Sequence, residues 1–534
     1  MKAATRTAGD SAGEAARRAD GAGDASPLDE LRRRRSAALE MGGAEGVAKH
    51  HASGRLTVRE RIDRLIDPDT LFEVGLLAEP ELRRDRPIPG DAVVTGYAKL
   101  HGRDVALIGI DSSVMAGTTA PTSMRKQGRL IATAQRVGMP IVLLCDADGG
   151  RIPDVMGWRF SGLPLDFTSF LEPQDGSPLV PRAAAILGPS YGDSALHAST
   201  AHFVAMVEFG SVALSGPSVV GKAIGEEVSD DTLGGPAMAQ SAGNVHMVVE
   251  TEDDALAAVG AFLSFMPASE LHAAPTAPAL APEVDPTTLG DIVPEDPRRG
   301  YDMRQVVAGL VDAGSMFPWG EGWGPSLLTF LGRIDGRPVG VIANQPIVGA
   351  GALDPPALKK ERTFVDLCDT FNIPIVFLQD VPGLLVGTDA ERGGILHSYE
   401  DLVTRIARAT VPKVAVVVRK AYGGGHFAMG GRPTGPDFLV AWPTAEMSFM
   451  APDTGVVTIN RRRLEQAMAE GGQEAYDACL ASLEQEWANE STPWESAAHF
   501  HLDDIIEPAT TRDFVARGIE IAWGSRDRVA RRKP

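Results

Sequence analysis

The chain has 534 residues, 44% of them hydrophobic, and its 71 acidic against 51 basic side chains leave a formal charge of −20. Length and apolar content predict a globular protein of two large domains or three ordinary ones. The acidic balance excludes polyanion binding as the main task, because phosphate contacts need a basic face. No apolar run approaches the roughly 18 residues of a membrane span, so neither nucleic acid nor membrane is an expected partner.

Residues 1–25 are mostly Ala, Gly, Arg and Asp without apolar period, which predicts a disordered segment and no signal peptide. Ser26 followed by Pro27 predicts a helix start, with Gly42 beyond the helix end. The quartet Arg32-Arg33-Arg34-Arg35 within it is expected to be a solvated face. Thr57-Val58-Arg59-Glu60 fits a capping box, and Val58, Ile62, Leu65 and Ile66 recur at helical spacing until Asp67-Pro68-Asp69. Cys145, Cys368 and Cys479 form no CxxC pair, which excludes a disulfide framework and a thiolate zinc site and predicts a reducing, cytoplasmic compartment. The Ala- and Pro-rich stretch 268–299 predicts a semi-rigid linker. It divides the chain into a first domain of residues 26–285 and a second of residues 286–534. In the segment MFPWGEGWG, Phe317, Trp319 and Trp323 are expected to pack on a core rather than stack on a ligand.

The two halves repeat. Gly102-Arg103 recurs as Gly336-Arg337 (336 − 102 = 234), and the same offset carries Ala116-Gly117, Lys126, Pro140-Ile141-Val142, Asp146 and Gly149 onto identical residues. Further on the offset becomes 231, pairing Tyr191-Gly192 with Tyr422-Gly423. Each copy has unalternating apolar strands at 105–110, 141–144 and 183–187, or 339–343, 375–378 and 414–418, separated by helical stretches. That texture predicts two copies of one α/β domain, each sheet covered by helices on both faces. Ligands of such folds lie at strand ends where glycine turns expose amides.

Four turns meet that description: Asp146 to Arg151 around Gly149-Gly150, Gly188 to Ser194 around Gly192, Val381-Pro382-Gly383, and Ala421 to His426 around Gly423-Gly424-Gly425. Consecutive glycines can aim unhindered N–H groups at one oxygen and hold an enolate or other oxyanion. They also permit tight strand–helix connections with no chemical role. None fits a P-loop or the full dinucleotide fingerprint.

The stretch Gly54-Arg55-Leu56-Thr57-Val58-Arg59-Glu60-Arg61-Ile62 resembles the opening of the carboxyltransferase (β) subunits of biotin-dependent acyl-CoA carboxylases. The resemblance continues through Gly225-Glu226-Glu227-Val228-Ser229, Ile342-Ala343-Asn344-Gln345-Pro346, Asp380-Val381-Pro382-Gly383, Glu391-Arg392-Gly393-Gly394 and Arg419-Lys420-Ala421-Tyr422-Gly423-Gly424. It spans about residues 50–520 and implies two tandem crotonase-like domains related by duplication. It also implies that carboxybiotin, delivered on a separate carrier protein, gives its carboxyl group to the α-carbon of a coenzyme A thioester. One backbone amide pair holds the biotin-side anion, and another holds the thioester enolate. By resemblance the biotin side maps to Gly424 and Gly425, with Gly423 and Gly383 beside them. The acyl-CoA side maps to Gly149-Gly150, to Gly192-Asp193, or to one amide of each. The implied partners are a biotin carboxylase with its biotin carrier subunit, and further copies of the chain in a hexamer whose sites lie between the N-domain of one subunit and the C-domain of another.

Several positions depart from the family. Asp148 stands where a glycine is usual, and Asp193-Ser194 replace Gly-Ala. Gly425-His426-Phe427 replace Ala-Tyr-Asp, so that Phe427 presents an apolar wall where the family has an Asp that bears on acyl-chain choice. Gly393-Gly394-Ile395-Leu396-His397-Ser398-Tyr399 has lost a terminal Arg-His-Gly. Asp148, Ser194, His426 and Phe427 are therefore candidate substrate-binding residues. Two enzymatic readings compete: carboxyl transfer to an unusual acyl-CoA, or biotin-independent thioester chemistry such as decarboxylation or acyl transfer, with His426 as acid or base. His426 as a neutral wall fits the first. Asp193, Ser194 and His197 also invite a triad reading, although residues this close in sequence rarely reach triad geometry. A binding scaffold without turnover is the non-enzyme alternative.

Overall fold

Ser26 caps the first helix by accepting the Asp29 amide, Pro27 opens it, and it runs Pro27–Leu39. Arg33 and Arg34 on its exposed surface pair with Glu30, so the arginine run is a solvated face. The Thr57–Glu60 capping box forms with both reciprocal bonds and starts the helix Val58–Leu65. The computed structural model describes residues 26–524 except 83, 86, 165–172 and 174. The N-terminal segment expected to be disordered lies outside the described residues.

The first sheet contains Phe72–Val74 (β1), Val93–Leu100 (β2), Arg103–Ile110 (β3), Ile141–Asp148 (β4), Arg182–Tyr191 (β5), Phe203–Val207 (β6), Ser211–Ala213 (β7) and Met247–Val249 (β8). Its order is β1-β2-β3-β4-β5-β6-β8, with β7 also pairing β5. The second contains Phe317–Pro318 (β9), Leu327–Ile334 (β10), Arg337–Asn344 (β11), Ile375–Val381 (β12), Lys413–Tyr422 (β13), Phe438–Ala441 (β14), Glu446–Ser448 (β15) and Asp504–Ile505 (β16). Its order is β9-β10-β11-β12-β13-β14-β16, with β15 pairing β13.

The duplication extends to register. Ala98 faces Val105 in one hairpin and Gly332 faces Val339 in the other. Parallel pairing begins at Ala106–Ile141 in the first half and at Gly340–Ile375 in the second. Both central pairs slip at the same place, between Cys145 and Ala147 and between Gln379 and Val381. Such irregularities re-aim a strand end, and here they precede the glycine turns.

The halves share one apolar core. Trp319 stacks on His246 with ring centroids 4.1 Å apart and donates its indole N–H to the His202 carbonyl at 2.9 Å. Phe317 packs on Phe203 and Phe262. These aromatics therefore join the halves rather than serve a ligand. In the Pro-rich stretch, Leu289 and Val293 are buried in a second core. From there on the chain is held to the second sheet rather than free to act as a spacer.

A buried ion pair fixes the strand end in each half. Asp146 accepts from Arg61 at 2.8 Å, from Ser112 at 2.8 Å and from Arg55, and Arg61 makes a bidentate pair with Glu252 at 2.7 and 3.0 Å. The equivalent Asp380 accepts from Arg419 at 3.0 Å, and the Asn344 side chain accepts from its amide at 3.1 Å. The arginines arrive from opposite directions. Arg61 comes from a helix outside the sheet, and Gly188 makes room, because a Cβ there would collide with Arg55 and Asp146. Arg419 occupies the strand position that matches Gly188 at the 231-residue offset.

Arg61→Ala should destabilise the fold by about 3–5 kcal/mol, since it leaves the buried Glu252 without its counter-charge and Asp146 with Arg55 alone. Arg64→Ala, which breaks a solvent-exposed pair with Asp253, should cost about 0–1 kcal/mol. Urea midpoints of the two variants check this; equal midpoints would show that the buried pair anchors nothing.

Candidate active site

In the N-terminal half, β4 runs into Gly149-Gly150. The Thr119 amide donates to the Gly149 carbonyl at 3.0 Å, and the Arg151 amide donates to the Thr119 carbonyl at 2.7 Å. The carbonyl and N–H of one trans peptide point in opposite directions, so the Gly150 N–H, in the unit whose carbonyl accepts from Thr119, faces away from Thr119. It faces the Gly192 turn, where a Cβ on Gly192 would lie 3.8 Å from the Gly150 nitrogen. Gly149 and Gly192 have φ of 80° and 62°, a region that side-chain-bearing residues rarely enter. The Gly192 amide is engaged with the Leu214 carbonyl at 3.3 Å. Asp193 begins the helical turn Asp193–Ser199, so its N–H has no acceptor within that turn. Among the described residues the amides of Gly150 and Asp193, one from each turn, have no hydrogen-bond acceptor.

The C-terminal half repeats the arrangement. The Leu353 amide donates to the Gly383 carbonyl at 3.1 Å, and the Leu385 amide donates to Leu353 at 2.8 Å. By the same peptide geometry the Leu384 N–H points away from Leu353, and its side chain lies beside Gly424, which follows Gly423 (φ 52°) at the head of Gly423–Ala428. A Cβ on Gly424 would lie 3.3 Å from Leu384 Cδ1, and one on Gly425 would lie 2.9 Å from the Gly383 Cα. Gly424 thus faces the space between the turns, whereas Gly425 is pressed against Gly383. The residue that reading single motifs missed is Leu384. The repeat was its signal, because Gly150 maps to Leu384 at the 234-residue offset.

Arg151 locks the N-terminal turn. It is buried, pairs with Asp91 at 2.6 Å, and donates to the Thr118 carbonyl at 2.6 Å. Tyr191 and Tyr422, the residues before Gly192 and Gly423, each end on a carboxylate. The Tyr191 hydroxyl donates to Asp230, and the Tyr422 hydroxyl to Glu446. Burial first, and the Asp230 bond second, push the Tyr191 phenol up to about 12.

The unusual polar residues take different positions. The Asp148 side chain is exposed, and its carboxyl is raised above the ordinary range by partial desolvation and by Asp230. Asp193 is buried, and neither carboxylate oxygen has a hydrogen-bond partner among the described residues. The Ser194 hydroxyl is likewise without a partner among the described residues, so Asp193, Ser194 and His197 do not assemble a triad. Phe427 is exposed.

His426 Nδ1 lies 2.8 Å from Gln379 Oε1, and Gln379 Nε2 donates to the Met429 carbonyl at 2.8 Å. The glutamine oxygen therefore faces the ring, and Nδ1 carries the proton. Burial pushes the imidazole down to about 4, which makes it a neutral wall near pH 7. Among the described residues no cluster of His, Cys, Asp and Glu could hold a metal ion, and no helix is long and apolar enough to cross a membrane.

NMR titration should find the His426 ring neutral from pH 8 down to about 5; titration near its ordinary value would overturn the neutral-wall assignment. His246, pushed by burial to about 3, acts with it on stability. The unfolded chain binds protons that these folded rings refuse, so stability should fall as pH drops below about 6.5, through the window down to their folded values. Urea midpoints across pH 4–8 check the sign.

Residues 49–534 match the family model of the carboxyl transferase domain. The chain is 35% identical over 528 residues to the propionyl-CoA carboxylase beta chain of Saccharopolyspora erythraea, covering 95% of each. It is 36% identical over 503 residues to the methylmalonyl-CoA carboxyltransferase 12S subunit of Propionibacterium freudenreichii subsp. shermanii, covering 92% of this chain and 94% of that one. Among solved structures it is similar to the transcarboxylase 12S hexamer with methylmalonyl-coenzyme A and methylmalonic acid bound. The TM-score is 0.87 at 34% identity, over 95% of this chain and 98% of the other.

Proposed function

The chain belongs to the carboxyl transferase family, and from that premise we propose that it moves a carboxyl group between carrier-bound biotin and the α-carbon of an acyl-CoA. The observation that carries the proposal is the matched geometry of the two halves. Each ends a bulged central strand in a turn whose Gly150 or Leu384 amide has no acceptor among the described residues, beside a second glycine turn that opens a helix. Paired N–H groups stabilise negative oxygen without titrating, each contributing roughly 2.7–4 kcal/mol to a transition state.

The Gly150 and Asp193 amides hold the thioester oxygen as negative charge develops on it. Asp148 and Phe427 border the substrate, and Ser194 lies behind the hole. The Leu384 and Gly424 amides hold the oxygen of the carrier-bound group, with Gly423, Gly425 and Gly383 setting the turn. The residues fit biotin in one testable respect: a Cβ at Gly424 would fill the space between Leu384 and Tyr399. Biotin, when bound, supplies the carboxyl group and accepts the α-proton. The neutral His426 is not needed as base. The same chemistry implies a biotin carboxylase and a biotin carrier as partners, and three unpaired cysteines suit a reducing cytoplasm.

The two amide pairs meet through assembly in this proposal. Exposed apolar side chains border both turns: Ile152 and Leu214 in the N-terminal half, and Val386, Leu396 and Phe449 in the C-terminal half. Faces of this kind mark protein contacts. We place the N-terminal half of one subunit against the C-terminal half of another, within a hexamer like that of the 12S relative.

Gly424→Val should lower carboxyl transfer from methylmalonyl-CoA to biotin by about a hundredfold or more, with the thermal midpoint within a few degrees of wild type. Thioester turnover by the wild-type chain without biotin or bicarbonate would instead favour biotin-independent chemistry. Phe449→Asp should shift the assembly to smaller species in light scattering and lower activity with it; an active monomer would sink the shared site.

A further inference from the structure

Tyr399 sits in the helix Ile395–Arg408, in the segment that has lost the family's Arg-His-Gly. Ile395, Ser398, Leu402 and Ile406 are buried on that helix, and Tyr399 lies next to Ser398, half-buried and packed beside Leu384. A Cβ built on Gly424 would lie 3.4 Å from both Cζ and Oη of Tyr399, and 3.3 Å from Leu384 Cδ1. The polar tip of the ring, rather than its carbon edge, therefore borders Gly424 beside the Leu384 side chain.

That hydroxyl has no hydrogen-bond partner among the described residues. It differs in this from Tyr191 and Tyr422, whose hydroxyls each donate to a carboxylate. Burial raises the Tyr399 phenol above its ordinary value, which keeps it an O–H donor at neutral pH. A partly buried donor with no acceptor among the described residues has unmet bonding capacity, and this one stands beside Gly424 in the proposed anion site.

We propose that the Tyr399 hydroxyl is a third donor in the C-terminal anion site, touching the same carrier-group oxygen as the Leu384 and Gly424 amides. The proposal rests on the carboxyltransferase reading above. A tyrosine here also narrows the site beside Gly424, so the bound group would be held between the ring tip and the amides.

The test is Tyr399→Phe, which keeps the ring and removes only the O–H. Carboxyl transfer from methylmalonyl-CoA is measured with free biotin and with a biotinylated carrier domain, alongside biotin binding by ligand-observed NMR, methylmalonyl-CoA binding by calorimetry, and the thermal midpoint. The expected result is a fall of roughly ten- to a hundredfold in kcat/KM for biotin and weaker biotin binding. Methylmalonyl-CoA affinity and thermal midpoint should be unchanged. A Tyr399→Phe enzyme as active as wild type overturns the tyrosine's role while the carboxyltransferase reading stands. Gains in both Tyr399→Phe and Tyr399→Gly would make the side chain an obstruction and also overturn it. A wild-type enzyme inactive with either biotin acceptor sinks the carboxyltransferase reading, and the tyrosine's role falls with it.

Discussion

A buried carboxylate held by a buried guanidinium decides where each central strand ends. Asp146 and Asp380 lie just before the glycine turns, and each is locked by an arginine that is almost fully out of solvent. Taking such a pair out of water is costly, and the cost is offset only by good geometry and further hydrogen bonds. Ser112 and Arg55 supply these in one half, and the Lys420 amide and ammonium in the other. The return is positional: with the carboxylate pinned, the slipped register and the direction of the following amides are set. The duplicated halves keep this constraint while changing its source, since Gly188 vacates the volume that Arg419 fills.

The chemistry proposed for those strand ends relies on dipoles rather than titrating side chains. Main-chain amides keep their polarity across the whole pH range and need no reorganisation as negative charge develops. The nearby titratable groups are kept from competing. His426 is neutral because it is buried, and Asp148 projects from the surface with its carboxyl proton held more tightly than usual. Tyr191 and Tyr422 close the outer side of each pair against a carboxylate.

The departures from the family pattern fall into two physical groups. Some change the walls of the site while leaving its amides in place, as Phe427 and His426 do. Others put new polar atoms where there were none. Among the described residues neither new group has a hydrogen-bond partner: Asp193 keeps the amide and adds a buried carboxylate, while Tyr399 brings a hydroxyl to a glycine position. The apolar rims of the two turns remain exposed in a single chain, as expected of surfaces that another copy covers.

Local and periodic features were legible in the sequence alone. The caps at Ser26 and Thr57, the apolar strands, the glycine turns and the duplication all follow from residue type and spacing, because they depend on contacts within a few residues or on repetition of a pattern. Which amides are left without an acceptor did not. An N–H direction depends on the neighbouring strand that engages the peptide units on either side, so only the pairing of Thr119 with Gly150 and of Leu353 with Leu384 selects Gly150 and Leu384. The same holds for Gly192, whose amide is engaged by Leu214, and for Tyr399, which reaches Gly424 from a different helix. Those contacts join residues distant in sequence, and tertiary packing alone brings them together.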